Sequence, residues 1–343
     1  MKTRAIAFAG AAAAALSFSL SGCATTGTAA PPGPSRPTGT IVEMITGAQD
    51  NSFYLSMECG ATVEARKLGV RLTVAGPREN TVSDQLPLVE GVLVGNPDAL
   101  VISPAAEGTA SLTQALLTAQ QNDTKIVFAG TSVTDANIGA SRVASDDAAG
   151  GRIAADKLGL MLGGVGSVAL ITAPAGSGPA AARAAAFRTE MAARYPEVTV
   201  LAPQSGTADS AARLVSADLK AHQDLAGVLA LTQDTAQGAI TALRKAHKTG
   251  TVKLATFDAS PFQMAGLGAG TIQLTIAQEP AVEGAKAMEQ AVGAVAGTKV
   301  VPHISTPMVA ITPQNMNSAA IKSYIYDGTC TSSLRGSVAS DDD

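Results

Sequence analysis

The sequence predicts an α/β protein of two doubly wound parallel-sheet lobes joined by a hinge of crossing strands, carried behind an export signal. Three observations lead there. Short apolar runs alternate with helix-length segments almost throughout, which is the pattern of βαβ units whose strands are covered on both faces. The runs are too many for one ordinary sheet, so two sheets fit better. The chain also opens with a positive, then apolar, then small-residue segment.

The strand-like runs are "TIVEMIT" (40–46), "VRLTVAG" (70–76), "DALVIS" (98–103), "TKIVFA" (124–129), "SVALIT" (167–172), "VTVLAP" (198–203), "GVLALT" (227–232), "VKLATF" (252–257) and "TIQLTIA" (271–277). Alanine-rich segments such as Ala180 to Arg194 and Asp209 to His222 lie between them and read as helices. After the first strand, Phe53, Met57, Ala61, Ala65 and Leu68 recur at helical spacing and form one apolar stripe. Glu58, Arg66 and Lys67 fall off the stripe, and Cys59 points nearly opposite its centre. "GLGAG" (266–270) precedes a strand and opens no helix, so it reads as a turn and not as a dinucleotide loop. "GGVG" (163–166) reads as a helix-to-strand turn using the positive φ open to glycine.

At the N-terminus, Lys2 and Arg4 precede the uncharged run "AIAFAGAAAAALSFSL". It is shorter than the roughly 20 apolar residues of a membrane span and is mostly alanine, as in an export signal. "LSGC", Leu20 to Cys23, resembles the bacterial lipobox, which implies a signal peptide over 1–22 and a lipid on Cys23. Residues 23–39, rich in proline and glycine without apolar period, read as a flexible tether. Residues 331–343, ending in "DDD", read as a disordered, solvated tail.

The chain holds three cysteines and a net charge of −4. Without a basic cluster, nucleic acid is not an expected partner. With Cys23 set aside, Cys59 and Cys330 remain, and outside the cytoplasm two such cysteines more often pair than stay free. Neither has metal-ligand spacing, and His222, His247 and His303 are scattered surface residues. No G-x-S-x-G elbow, P-loop, HExxH or EF-hand loop is found. No catalytic residue, cofactor or metal is therefore expected.

The candidate site consists of polar residues at the C-terminal ends of strands, where open α/β sheets bind ligands. Asn51, Gln233, Asp258 and Gln278 each follow an apolar run and can bond paired hydroxyl groups. "GTS", with Gly130 and Thr131, follows the fourth run. Phe53 and Tyr54 stand beside Asn51, where an aromatic face could cover the C–H face of a sugar ring. Phe53 sits on the core stripe, so Tyr54 is the better stacking candidate.

At these residues the chain resembles periplasmic sugar-binding proteins of the ribose-binding type, which have the type I periplasmic binding protein fold. The segments that carry the resemblance are "DNSFYLSMECGATVEARKLGVRLTV", "VASDDAAGGRIAADKL", "LTQDTAQGAITALRKAHKTG", "LATFDASP" and "LTIAQEP", in order between about Thr40 and Thr312. The resemblance implies a monomer whose two lobes close on a sugar or polyol and deliver it to ABC permease subunits. It implies ligand contacts at Asn51, Phe53, Tyr54, Gln233, Asp234, Asp258 and Gln278. Gly130 and Thr131 stand where ribose binders carry Asp-Arg, Arg183 lies near the second-lobe arginine, and Ala208 replaces a pocket aromatic. These departures imply the loss of charged clamps and of one stacking surface. The resemblance further places the N-terminal lobe at 40–144 and 279–305, the C-terminal lobe at 145–278 and 306–330, and hinge crossings near Ser145, Gln278 and Ser305. A receptor presenting a sugar or autoinducer to a membrane sensor is the alternative function.

Overall fold

The computed structural model of the protein describes residues 39–105, 109–173 and 178–326. The expected signal peptide, Cys23, Cys330 and the tail 331–343 lie outside the described residues, as does nearly all of the tether. No helix among the described residues is long and apolar enough to cross a membrane.

The first half of the chain runs β1 (Ile41–Ile45), α1 (Ser52–Lys67), β2 (Arg71–Ala75), α2 (Val82–Leu93), β3 (Ala99–Ile102), α3 (Ala110–Gln121), β4 (Lys125–Ala129), β5 (Ser141–Ser145) and α4 (Asp147–Met161). Next come β6 (Gly166–Thr172), α5 (Gly178–Arg194), β7 (Val198–Val200), β8 (Gln204–Ser205), α6 (Ala208–Ala221), β9 (Leu225–Ala230), α7 (Gln233–Lys245), β10 (Lys253–Phe257) and α8 (Pro261–Gly268). The chain ends with β11 (Leu274–Ala277), α9 (Pro280–Val295), β12 (His303–Thr306), β13 (Val309–Ile311) and a 3-10 helix, Ala319–Tyr324.

These elements make two parallel-sheet α/β lobes. One sheet has the order β12-β5-β4-β3-β1-β2 and is parallel throughout. The other has the order β13-β11-β10-β9-β6-β7, with β8 beside β6 and only β13 antiparallel. The fully apolar runs become the central strands because helices cover both of their faces; β3, "ALVI", is buried at every position. Helices α1 and α9 cover one face of the first sheet and α2 and α3 the other. Helices α4 and α5 cover one face of the second sheet, and α6 and α7 the other.

Each of the nine expected strands is present. The last begins late, at Leu274, because the amides of Thr271 and Ile272 turn back to the carbonyl of Gly266 and close α8. "GLGAG" thus ends a helix, and Gly163, Gly164 and Gly166 take the positive φ expected of their turn. Strands β5, β8, β12 and β13 were not expected; they are short, and "SRVAS" and "HIST" are largely polar.

Met57, Ala61 and Ala65 of the α1 stripe are buried against the first sheet, whereas Leu68 lies past the helix end and is partly exposed. Helices α1 and α9 approach until their backbones touch. A β-carbon on Gly60 would lie 1.8 Å from the carbonyl oxygen of Ala281, and one on Gly284 2.0 Å from that of Met57. Cys59 is only 2% exposed even though it lies off the stripe. His247 and His303 are exposed and His222 is half-buried.

Among the described residues the chain passes between the lobes at three places. These are the steps from β5 into α4, from β11 into α9, and from β12 into β13.

Candidate functional site

Because the strands of each sheet are parallel, their C-terminal ends share one edge, and the loops leaving that edge meet their counterparts from the other lobe. A cavity of about 690 Å³ lies there. All ten residues singled out from the sequence line it: Asn51, Phe53 and Tyr54 after β1, Gly130 and Thr131 after β4, Arg183 on α5, Gln233 and Asp234 after β9, Asp258 after β10, and Gln278 after β11.

Local structure sets what each can offer. The Asn51 side chain caps α1 by accepting from the Phe53 amide at 2.9 Å, which leaves its Nδ2 donors for the cavity. The Phe53 ring is half-buried and packs on the cores of both lobes, with its edge toward Tyr54 at 5.2 Å and Tyr326 at 5.8 Å between centroids. Gly130 has φ +77°, a left-handed conformation unfavourable to most side chains, so the backbone disfavours a bulky residue there. The Thr131 hydroxyl donates to the Pro104 carbonyl at 2.9 Å. Gln233 and Asp234 occupy the exposed first turn of α7, whose start Thr232 caps.

Asp258 leaves β10 with φ +77° and does not cap the helix that follows. Ser260 holds the N-cap position of α8 without a side-chain cap bond; its hydroxyl faces the amide oxygens of Gln233, at 3.0 Å, and Gln263. Asp258 Oδ1 instead accepts from the Tyr326 hydroxyl at 3.2 Å.

A chain of polar contacts crosses the floor of the cavity. Arg183 Nε donates to Asp147 Oδ1 at 2.7 Å, and another guanidinium nitrogen donates to Gln278 Oε1. Gln278 Nε2 donates to the Tyr326 oxygen at 3.4 Å, and that hydroxyl reaches Asp258. The guanidinium also lies 4.5 Å over the ring of Phe257. Charged side chains nevertheless line this cavity. Arg183 is 7% exposed within the site, and Arg78, with Glu79 and Asn80, lines the cavity after β2.

Burial raises the pKa of the Asp258 carboxyl, against the pull of Arg183 and the Tyr326 hydrogen bond. Burial opposes the charge on Arg183, but Asp147 and Asp258 outweigh it and hold the guanidinium above its ordinary value. Tyr54 is pushed up to about 12 by burial, with Asp258 and Glu283 adding to the shift.

Glu283 was not found from the sequence. It sits on α9 just beyond the second crossing, wholly buried, and its Oε1 accepts from Ser145 at the first crossing and from Thr306, 3.0 Å away, at the third. Its Oε2 is buried without a protein partner, and burial pushes the group up to about 7. Among the described residues no cluster of three histidine, cysteine or carboxylate side chains could hold a metal. Amides, carboxylates and hydroxyls facing one cavity beside two aromatic rings suit a neutral ligand rich in hydroxyl groups.

A family model described as a periplasmic binding protein domain matches residues 42–299. The ribose import binding protein of Escherichia coli (strain K12) is 30% identical over 261 residues, covering 76% of this chain and 86% of that protein. The D-allose-binding periplasmic protein of the same strain is 27% identical over 270 residues, 75% of this chain and 85% of that protein. Among solved structures, an ABC transporter solute-binding protein from Agrobacterium vitis bound with alpha-D-tagatopyranose aligns with a TM-score of 0.78 at 29% identity, covering 84% of this chain and 99% of that one.

Proposed function

This chain belongs to the periplasmic binding protein domain family, and from that membership we propose that it captures a sugar or related polyol between its two lobes and delivers it to an ABC importer. The observation that carries the reading is the cavity of about 690 Å³ into which hydroxyl-bonding groups of both lobes converge. The mechanism is binding with closure, not catalysis. The ligand bridges residues of the first lobe, such as Asn51, and of the second, such as Asp258, and stabilises the closed form by contacts the open form lacks. The hinge lies near Ser145, Gln278 and Ser305, with the lobes divided as the resemblance implies, and the protein works as a monomer.

The protein acts outside the cytoplasm, held to the membrane by a lipid on Cys23. A disulfide between Cys59 and Cys330 ties the C-terminal tail to α1; support comes from the burial of Cys59 on a helix face that turns away from its own sheet.

A thermal-shift screen over pentoses, hexoses, polyols and nucleosides tests the function. A true ligand at 100-fold its Kd adds ~2.7 kcal/mol of stability. A panel in which no sugar or polyol raises the melting temperature, while a nucleoside does, would overturn the sugar assignment.

A further inference from the structure

Tyr326 lies beyond the residues matched by the family model, in the short stretch after the 3-10 helix. It is 2% exposed and fixed at both ends. Its amide donates to the carbonyl of Ala259 at 3.1 Å, immediately beside Asp258, and its ring packs edge-on to Phe53. Its hydroxyl stands between two groups of the cavity, donating to Asp258 Oδ1 at 3.2 Å and receiving Gln278 Nε2 at 3.4 Å. A phenol has one proton to give, and here the carboxylate takes it while the amide supplies the other bond. Each neighbour is thereby held in one rotamer, and Asp258 keeps its second oxygen for other donors.

We propose that Tyr326 is a positioning residue of the ligand site, orienting the carboxylate of Asp258 and the amide of Gln278 from a segment outside the matched family domain. The inference rests on the reading of Asp258 and Gln278 as ligand contacts. Its electrical consequence is specific. Arg183 from α5 and the Tyr326 hydroxyl favour the charged form of Asp258, while burial and Asp147 from α4 oppose it. Tyr326 in turn faces Asp258, Arg183 and Glu283. Deleting the hydroxyl removes one of the two influences that keep Asp258 ionised.

The test compares the wild type with Tyr326→Phe, which keeps the ring against Phe53. Carboxyl-carbon NMR titration of the ligand-free protein should show Asp258 titrating at higher pH in the variant, with little change in melting temperature. An Asp258 titration identical in the two proteins overturns the proposal, whatever sugars bind. In the second arm, affinity is measured for whichever of D-ribose, D-allose and D-tagatose most raises the wild-type melting temperature. Tyr326→Phe should weaken it roughly fivefold at neutral pH, the net worth of about one ordinary hydrogen bond, and more steeply as pH falls. Unchanged affinity in Tyr326→Phe beside a large loss in Asp258→Asn would overturn the positioning role and leave the site standing. Unchanged affinity in both would overturn the site reading itself.

Discussion

Asp147 and Arg183 meet at 2.7 Å between Oδ1 and Nε, where the start of α4 faces α5 at the edge of the cavity. Both side chains are largely withdrawn from solvent, at 15% and 8% exposure. Breaking one side of a buried pair leaves the other charge uncompensated, which costs about 3–5 kcal/mol. Arg183→Ala should lower stability by about 3 kcal/mol in denaturant unfolding, and Asp147→Ala in the same background should recover part of the loss. A loss under 1 kcal/mol would mean that water already screens the pair.

Glu283 makes stability depend on pH. Its pKa rises from an ordinary 4.5 to about 7 on folding, so folding favours the protonated form. The stabilisation is fully present below pH 4.5 and is lost as pH climbs through about 7. Glu283→Gln, a permanent neutral stand-in, should be more stable than the wild type by about 3 kcal/mol above pH 7 and equal to it near pH 4. Parallel stability curves for the two proteins between pH 4 and 8 would refute this.

Helices α1 and α9 have no room for a methyl group at their contact. Gly60→Ala should cost 3 kcal/mol or more, since a β-carbon 1.8 Å from a backbone oxygen forces the helices apart. Gly91→Ala on α2, with open space around its β-carbon, should be neutral or stabilising by a few tenths of a kcal/mol. Equal effects at both positions, read by thermal unfolding, would mean the helices separate freely.

Asp258→Asn should weaken sugar affinity at least tenfold, ~1.4 kcal/mol, in isothermal titration. Ligand-free melting should hold or rise, because burial disfavours the charge that is removed. Wild-type affinity should fall as acid protonates the carboxylate, whereas the variant should respond less. Reduced ligand-free stability with intact affinity would remove Asp258 from the site.

The two cysteine proposals separate cleanly. Cys23→Ser should move the protein from membranes into the soluble fraction. Thiol counting on the unfolded, non-reduced protein should find Cys59 and Cys330 unreactive; two free thiols there would dismiss the bridge. Closing a loop of about 270 residues corresponds to ~5 kcal/mol in the chain-entropy limit.

The fold class was legible because buried parallel strands leave uninterrupted apolar runs, as "TKIVFA" and "GVLALT" do. Strands β5 and β12 were not, because at the margin of the sheet they keep polar residues such as Arg142 and His303. That omission hid Asp147, which could be placed just beyond a strand end only once β5 was known. Arg78, Glu79 and Asn80 were within reach, since they follow "VRLTVAG" as directly as Asn51 follows β1. Glu283 and Tyr326 gave no local signal. One is an acid in an alanine-rich helix that also holds Glu289, and the other lies 68 residues from the Asp258 carboxylate it meets.

The left-handed backbone at Asp258 limits how this protein could evolve. At φ +77° most residues with a β-carbon cost about 1–2 kcal/mol, with asparagine, aspartate and glycine the usual exceptions. Point changes that exchange Asp258 for a larger or branched acceptor would have to strain the chain as well as repack the cavity. Ligand preference can therefore drift more readily through Gln233 and Asp234, on the exposed first turn of α7, where the backbone is helical and tolerant. Variation among descendants of this sequence should concentrate there, with position 258 alternating between the acid and its amide.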